Sequence, residues 1–190
     1  MSLDKFYLDK FIRATEFAAF GASSFIGKGD KNAADQGAVN GMRNELNKID
    51  MIGKVVIGEG EMDEAPMLHI GEEVGTKKGI ELDIALDPLE GTNFTVKNLP
   101  NAFSVLVVAE KGNLLSAPDT YMEKIVIGSN LPEKLLDLDN SVETNIFLLA
   151  KAKNKSPSEL RACVLNRPRH QKIIEALNKH KVKINFITDG

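Results

Sequence analysis

Asp83-Ile84-Ala85-Leu86-Asp87-Pro88-Leu89-Glu90-Gly91-Thr92-Asn93 sets an apolar strand directly against two acids. Pro88 and Gly91 make a turn at the end of that strand, so Asp87 and Glu90 sit close together with the hydroxyl of Thr92 beside them. One carboxylate held at a strand end is costly to desolvate, and a second beside it costs more, unless a cation meets both. Upstream, the apolar strand Val55-Val56-Ile57 runs into another acidic turn, Gly58-Glu59-Gly60-Glu61. Two strand ends carrying carboxylates predict one site for hard divalent ions, assembled from both.

Helical spacing of Phe6, Phe11, Ala14, Phe17, Ala18 and Phe25 predicts an amphipathic helix over the first 26 residues. The break Gly27-Lys28-Gly29-Asp30-Lys31-Asn32 ends it, and a second helix is expected from about Ala33 to Ile49. A strand over Lys54–Ile57 follows, then a short helix opened by Pro66. Ile80–Leu86 reads as the strand feeding the acidic turn. Ala102–Ala109 and Asn113–Leu115 read as a hairpin around Lys111-Gly112, and Ile125–Ile127 as one more strand. Composition changes near Leu131, with a linker over Leu135–Asn140 and a helix over Val142–Ala152. Strand Ala162–Leu165, helix Gln171–Asn178 and strand Val182–Ile187 then form a βαβ unit, which predicts a parallel sheet and a second α/β domain. Ligand groups of such folds sit at the carboxyl ends of strands, and the sequence stops just past the last one, so a truncated chain is expected.

The 190 residues are 43% hydrophobic, ample for a core. A formal charge of −3 excludes a generally basic, nucleic-acid-binding surface. The single cysteine, Cys163, lies in an apolar run and reads as a buried, inert thiol. With no internal disulfide possible, a cytoplasmic location is expected. No apolar run of membrane-spanning length or signal pattern is found, so neither a membrane nor a nucleic acid is expected as partner.

Five blocks together resemble the class II (GlpX-type) fructose-1,6-bisphosphatases, within the lithium-sensitive, metal-dependent sugar and inositol phosphatases. They are Gly29-Asp-Lys-Asn-Ala-Ala-Asp35, Val56-Ile-Gly-Glu-Gly-Glu-Met-Asp-Glu-Ala-Pro-Met67, Asp87-Pro-Leu-Glu-Gly-Thr92, Ala117-Pro-Asp-Thr-Tyr-Met122 and Arg167-Pro-Arg-His170. The acidic turn alone marks the whole superfamily, whereas five blocks in order mark the GlpX-type branch. The resemblance implies an α+β, layered sugar-phosphatase fold, with N-terminal helices on a mixed sheet. A metal-binding phosphatase domain is expected over 1–135 and an incomplete second α/β domain over 136–190. Implied too are hydrolysis of the 1-phosphate of fructose 1,6-bisphosphate, a role in gluconeogenesis or glycerol use, and a homo-oligomer, dimer or tetramer. An inositol-monophosphatase-like enzyme and an inactive fragment are the competing readings.

Phosphate-monoester hydrolysis needs the phosphoryl charge neutralised and a nucleophile near neutral pH, which Mg²⁺ or Mn²⁺ supply. Such ions take oxygen ligands, which accounts for carboxylates in place of His or Cys clusters. By resemblance, Asp35 and Glu59 hold one metal and Asp87 and Glu90 another, with the Leu89 carbonyl as an extra ligand. Glu61 is either a catalytic group or the ligand in place of Glu59. Thr92 orients the attacking water or binds phosphate, and Lys31 offsets phosphate charge. Substrate contacts are implied for Glu90, Gly91, Thr92, Tyr121, Arg167, Pro168, Arg169, Asp189 and Gly190. Blander readings stand beside these: helix-capping acids at 87 and 90, a solvated Asp35, a loop Lys31, a half-buried strand Tyr121, surface arginines, and surface or packing roles for His69, His170 and His180.

Overall fold

The computed structural model describes residues 5–58, 67–115 and 122–188, with side chains from Tyr7 on. Two compact units divide the chain, Met1–Asp119 and Thr120–Gly190.

The first unit opens with helix α1 (Lys5–Ser23) and helix α2 (Lys31–Leu46). Asp30 caps α2, its carboxylate accepting the Ala33 N–H at 3.0 Å. α1 stops three residues short of the expected end, because its last residues tighten into i→i+3 turns, Phe25 N–H to Ala22 and Ile26 N–H to Ser23. The stripe of α1 that meets the core is Phe11, Ala14, Ala18 and Ala22, all small after the first. Small residues let the two helices touch through their backbones. Phe17 instead lies at the edge, under the guanidinium of Arg13 and the ammonium of Lys48.

Beneath the helices lies a four-stranded mixed sheet in the order β2-β1-β3-β4. Its strands are β1 (Met51–Ile57), β2 (Glu73–Val74), β3 (Ile80–Glu90) and β4 (Phe103–Glu110). β1 and β3 run parallel, while β2 and β4 are antiparallel to their neighbours. Met51, Val55, Leu82, Ile84 and Leu86 form the helix-facing side, packed with Val39, Met42 and Leu46 of α2. Each such side chain, fully buried, contributes about 1.5–3 kcal/mol.

Glu45 of α2 is buried among these groups, and Lys48 and Arg13 both bond its carboxylate. The Lys48 hydrogen bond first, and the Arg13 bond after it, hold its pKa below the usual 4.5 despite the opposing effect of burial. A carboxylate depressed in the folded state contributes stability above its unfolded pKa and loses it as pH falls through the folded value. Thermal melting should therefore weaken below about pH 4.5, and Glu45→Gln should flatten that dependence. An unchanged acid slope in Glu45→Gln would count against the assignment.

Several expected elements differ. The anticipated Asn113–Leu115 strand does not form, because the turn at Lys111-Gly112 bonds back to β3 instead. Gly112 N–H donates to the Asp83 carboxylate at 2.6 Å, and Lys111 N–H to the Glu81 carbonyl at 3.2 Å. Ile125–Ile127 is not a strand either, and Val126 is 91% exposed. No strand among the described residues pairs with it, and strand propensity alone holds nothing. Pro66 lies outside the described residues, and from Met67 to His69 the chain is irregular where a helix was expected.

In the second unit, helix α4 (Val142–Ala152) occupies the expected bounds, following the short helix α3 (Thr92–Val96) of the first unit. Strand β5 (Arg161–Leu165), helix α5 (Gln171–Lys179) and strand β6 (Lys183–Ile187) make the expected parallel βαβ unit. Ile146, Ala150, Leu160, Leu177 and Val182 form its core, with Ala162, Val164 and Ile184 from the inner face of the strands. Strand alternation then turns Cys163 away from that core. It is exposed, not buried as expected, and the Asn185 amide approaches its sulfur at 3.9 Å.

Candidate metal centre

Pro88 cannot donate to a β ladder, and the β3–β4 register slips where it stands. Asp87 pairs with Val105 and Glu90 with Phe103, so three steps along β3 match two along β4. One extra residue is thus bulged into β3. Side chains alternate along a strand, and residues three apart would normally face opposite sides. The bulge cancels that offset and turns Asp87 and Glu90 to the same side as Phe103 and Val105. The acids are therefore the last, bulged residues of β3 rather than a turn beyond it.

Immediately after them Gly91 takes a left-handed conformation (φ 80°), from which α3 starts. A Cβ there would lie 2.8 Å from the Phe94 ring, so glycine is required on both grounds. The N-cap of α3 is Gly91 itself, which carries no side chain to cap the helix. Asp87 instead accepts the Leu89 N–H at 3.0 Å and stiffens the bulge.

Thr92, the first residue of α3, joins the two halves of the site. Its hydroxyl donates to the Asp35 carboxylate at 2.7 Å, and lies 3.3 Å from the Leu89 carbonyl. Asp35 sits on the second turn of α2, 57 residues from Thr92. Two backbone bonds hold that helix start in place: Gly27 N–H to the Thr95 carbonyl at 3.1 Å, and Gly29 N–H to Val96 at 3.0 Å. These glycines, both at positive φ, were legible only as a helix break. Asp35, Asp87, Glu90 and Thr92 are all half-buried, while Lys31 is exposed one turn before Asp35.

The donors gathered here are carboxylate, hydroxyl and carbonyl oxygens. That set fits a hard divalent ion and offers nothing soft. Among the described residues no three acidic, His or Cys side chains already stand at metal-holding distance. Glu59 and Glu61 lie outside the described residues, as do Tyr121, Asp189 and Gly190.

Arg167, Pro168 and Arg169 belong to the second unit, where β5 gives way to a 3-10 turn, Pro168–His170, ahead of α5. The Arg167 guanidinium donates to the Thr188 carbonyl at 2.6 Å, and Asn166 N–H to Ile187 at 3.0 Å, so the ends of β5 and β6 are stitched together. His170 packs its ring against the Leu165 carbonyl at 2.9 Å, and His180 stacks edge-on to Phe147. His69 is an exposed neighbour of Glu72, 3.3 Å from its carboxylate.

Residues 5–190 match the family described as bacterial fructose-1,6-bisphosphatase, glpX-encoded. The chain belongs to this family. It is 46% identical over 181 residues to fructose-1,6-bisphosphatase 1 class 2 of Escherichia coli strain K12, covering 95% of this chain and 54% of that protein. The class 2 fructose-1,6-bisphosphatase of Haemophilus influenzae gives the same identity and coverage. A protein of Thermosynechococcus vestitus named D-fructose 1,6-bisphosphatase class 2/sedoheptulose 1,7-bisphosphatase is 42% identical over 191 residues, covering 94% of this chain and 55% of that protein. The chain spans about half the length of the curated relatives it matches. GlpX-type membership extends through the βαβ unit, so the family resemblance holds for both compact units. No helix among the described residues is long and apolar enough to cross a membrane.

Proposed function

We propose that this chain carries the metal-binding half of a sugar-bisphosphatase that releases the 1-phosphate of fructose 1,6-bisphosphate, giving fructose 6-phosphate and phosphate. The observation that carries the reading is the Thr92 bond, which brings Asp35 of α2 against the acidic end of β3. Asp35, Asp87, Glu90 and the Leu89 carbonyl would hold the ions, Mg²⁺ or Mn²⁺, together with Glu59. A bound ion of this kind neutralises phosphoryl oxygens and acidifies water toward neutral pH.

The residues themselves divide the remaining work. Thr92 commits its one proton to Asp35, which leaves the lone pairs of its oxygen to accept from a water and aim it. Lys31 supplies a positive charge for the phosphate beside the acids, and Glu61 remains among the catalytic groups. Gly91 and Glu90 offer the bulged backbone to the sugar phosphate. Tyr121, Arg167, Pro168, Arg169, Asp189 and Gly190 are proposed for the rest of the substrate, with the start of α5 favouring an anion. We assign the metal-binding domain to 1–135 and the second domain to 136–190. Between Glu110 and Val142 no helix or strand is found among the described residues.

Phosphate release from fructose 1,6-bisphosphate with added Mn²⁺ or Mg²⁺, measured on the whole enzyme at the length of its relatives, tests the reading. No turnover, or faster turnover of an inositol phosphate, overturns it. Lithium is expected to inhibit by competing at one ion position. The Thermosynechococcus relative's name favours one further substrate, sedoheptulose 1,7-bisphosphate, for a side-by-side assay. A homo-oligomer, a cytoplasmic location and a place in gluconeogenesis or glycerol use complete the proposal.

A further inference from the structure

Away from the acids, a partly buried ion pair ties the helix of Asp35 to residues 68–72 and the end of β1. Arg43 of α2 grips Glu72 with two parallel bonds, Nε to Oε1 at 2.7 Å and the terminal nitrogen to Oε2 at 3.0 Å. Both side chains are largely covered, 21% and 16% exposed. Glu72 is no loose surface acid. Its carboxylate also accepts the His69 N–H at 3.3 Å, and its carbonyl accepts the Val55 N–H at 2.9 Å. Gly71 N–H returns a bond to the Val55 carbonyl at 2.8 Å. Gly58, the residue before Glu59, sits so close to Leu68 that a Cβ on it would lie 2.3 Å from the Leu68 carbonyl oxygen. The end of β1, up to Gly58, and residues 68–72 are thereby locked to each other.

The tie runs from these two segments to α2. Arg43 and Asp35 are eight residues apart on one helix, about 12 Å along its axis. A bidentate guanidinium–carboxylate pair fixes orientation as well as distance. Its net contribution to stability is expected to be small, because covering the charges offsets their attraction.

We propose that Arg43 and Glu72 are positioning residues for the metal centre: they set Asp35 and the end of β1, up to Gly58, at a fixed spacing. This rests on the metal reading above. Each acts through α2 or through the end of β1, not as a ligand. Partners that bond a metal ligand directly are worth ten- to a hundred-fold in metal affinity; this pair acts one step further out, so a smaller loss is expected.

The test is Mn²⁺ titration of the chain, reading free Mn²⁺ by electron paramagnetic resonance, for wild type, Glu72→Gln and Arg43→Lys. Thermal melting and circular dichroism without metal check the fold of each. Glu72→Gln keeps shape but loses charge, and is expected to weaken Mn²⁺ binding about three- to ten-fold while still folded. Arg43→Lys keeps charge but loses the second bond, and should fall between it and wild type. A role in stability alone would lower the melting temperature and leave the affinity of the folded protein unchanged. Folded variants binding Mn²⁺ within two-fold of wild type overturn the positioning role alone. A wild-type chain that binds no Mn²⁺ overturns the metal reading and this inference with it. If Glu72→Gln does not fold, Arg43→Lys decides.

Discussion

Asp87→Asn is expected to abolish phosphate release by the whole enzyme while the fold survives. The side chain that replaces the acid has nearly the same shape, and its amide oxygen can still accept the Leu89 N–H that stiffens the bulge. What is lost is charge. A neutral amide oxygen is a weak ligand for a hard divalent ion, so the loss should exceed the roughly 10²–10³-fold that follows removal of one transition-state hydrogen bond. Stability should move the other way. In the metal-free protein Asp87 and Glu90 face the same side of β3, with Asp35 held nearby through Thr92. Like charges so placed repel, and removing one relieves the strain. Melting temperature without metal should therefore hold or rise, and the stabilisation gained on adding Mn²⁺ should shrink. Retained turnover would remove Asp87 from the ligands. A collapsed metal-free fold would show that its carboxylate is structural. Glu90→Gln is expected to behave alike.

Local signals explain what the sequence made legible. Val142–Ala152 carries its own helix signals, Ser141 capping the Thr144 N–H and an apolar face for the core, and its bounds match the expectation at both ends. The βαβ unit is built from consecutive elements, so its period changes mark each boundary. The acid pair stood out because Pro88 and Gly91 bracket it. What was hidden depends on partners distant in the chain. The bulge exists only through the register between β3 and β4, and Leu86 gives no sign of where that register slips. The Arg43–Glu72 pair joins residues 29 apart, and nothing near either one announces the other. Ile125–Ile127 differs in the opposite way, having strand propensity but no partner strand among the described residues. An apolar run predicts a buried Cys163, but the core covers only the face of Ala162 and Val164, and alternation leaves the thiol exposed.

The spacing Gly37-x-x-x-Gly41 carries the largest stability effect. Gly41→Ala should destabilise the first unit, although alanine is the better helix former by about 1 kcal/mol. α1 and α2 touch backbone to backbone at three glycines. A Cβ at position 41 would stand 2.1 Å from the Phe17 carbonyl oxygen and 2.6 Å from its carbon, while one at Gly21 would stand 2.1 Å from the Gly37 carbonyl oxygen. An ordinary contact begins at 3.4 Å, so the helices must part by 3.4 less 2.1, or 1.3 Å, at that point. Backbone cannot swing aside as a flexible side-chain tip can. Overpacking of this kind costs about 1–3 kcal/mol or more, and separation also strips Ala14 and Ala18 of contacts. A net loss of about 2 kcal/mol corresponds to a fall of roughly 10 °C in melting temperature for a unit this size. Gly128→Ala is the control: its Cβ would meet nothing within 4 Å, and it should change stability by less than about 0.5 kcal/mol. The same displacement moves α2, and with it Asp35, away from the Thr92 hydroxyl. Mn²⁺ affinity should therefore fall in Gly41→Ala even where the protein remains folded. A variant that melts at the wild-type temperature would show that the helices can separate without cost, and that their close approach does not set the site.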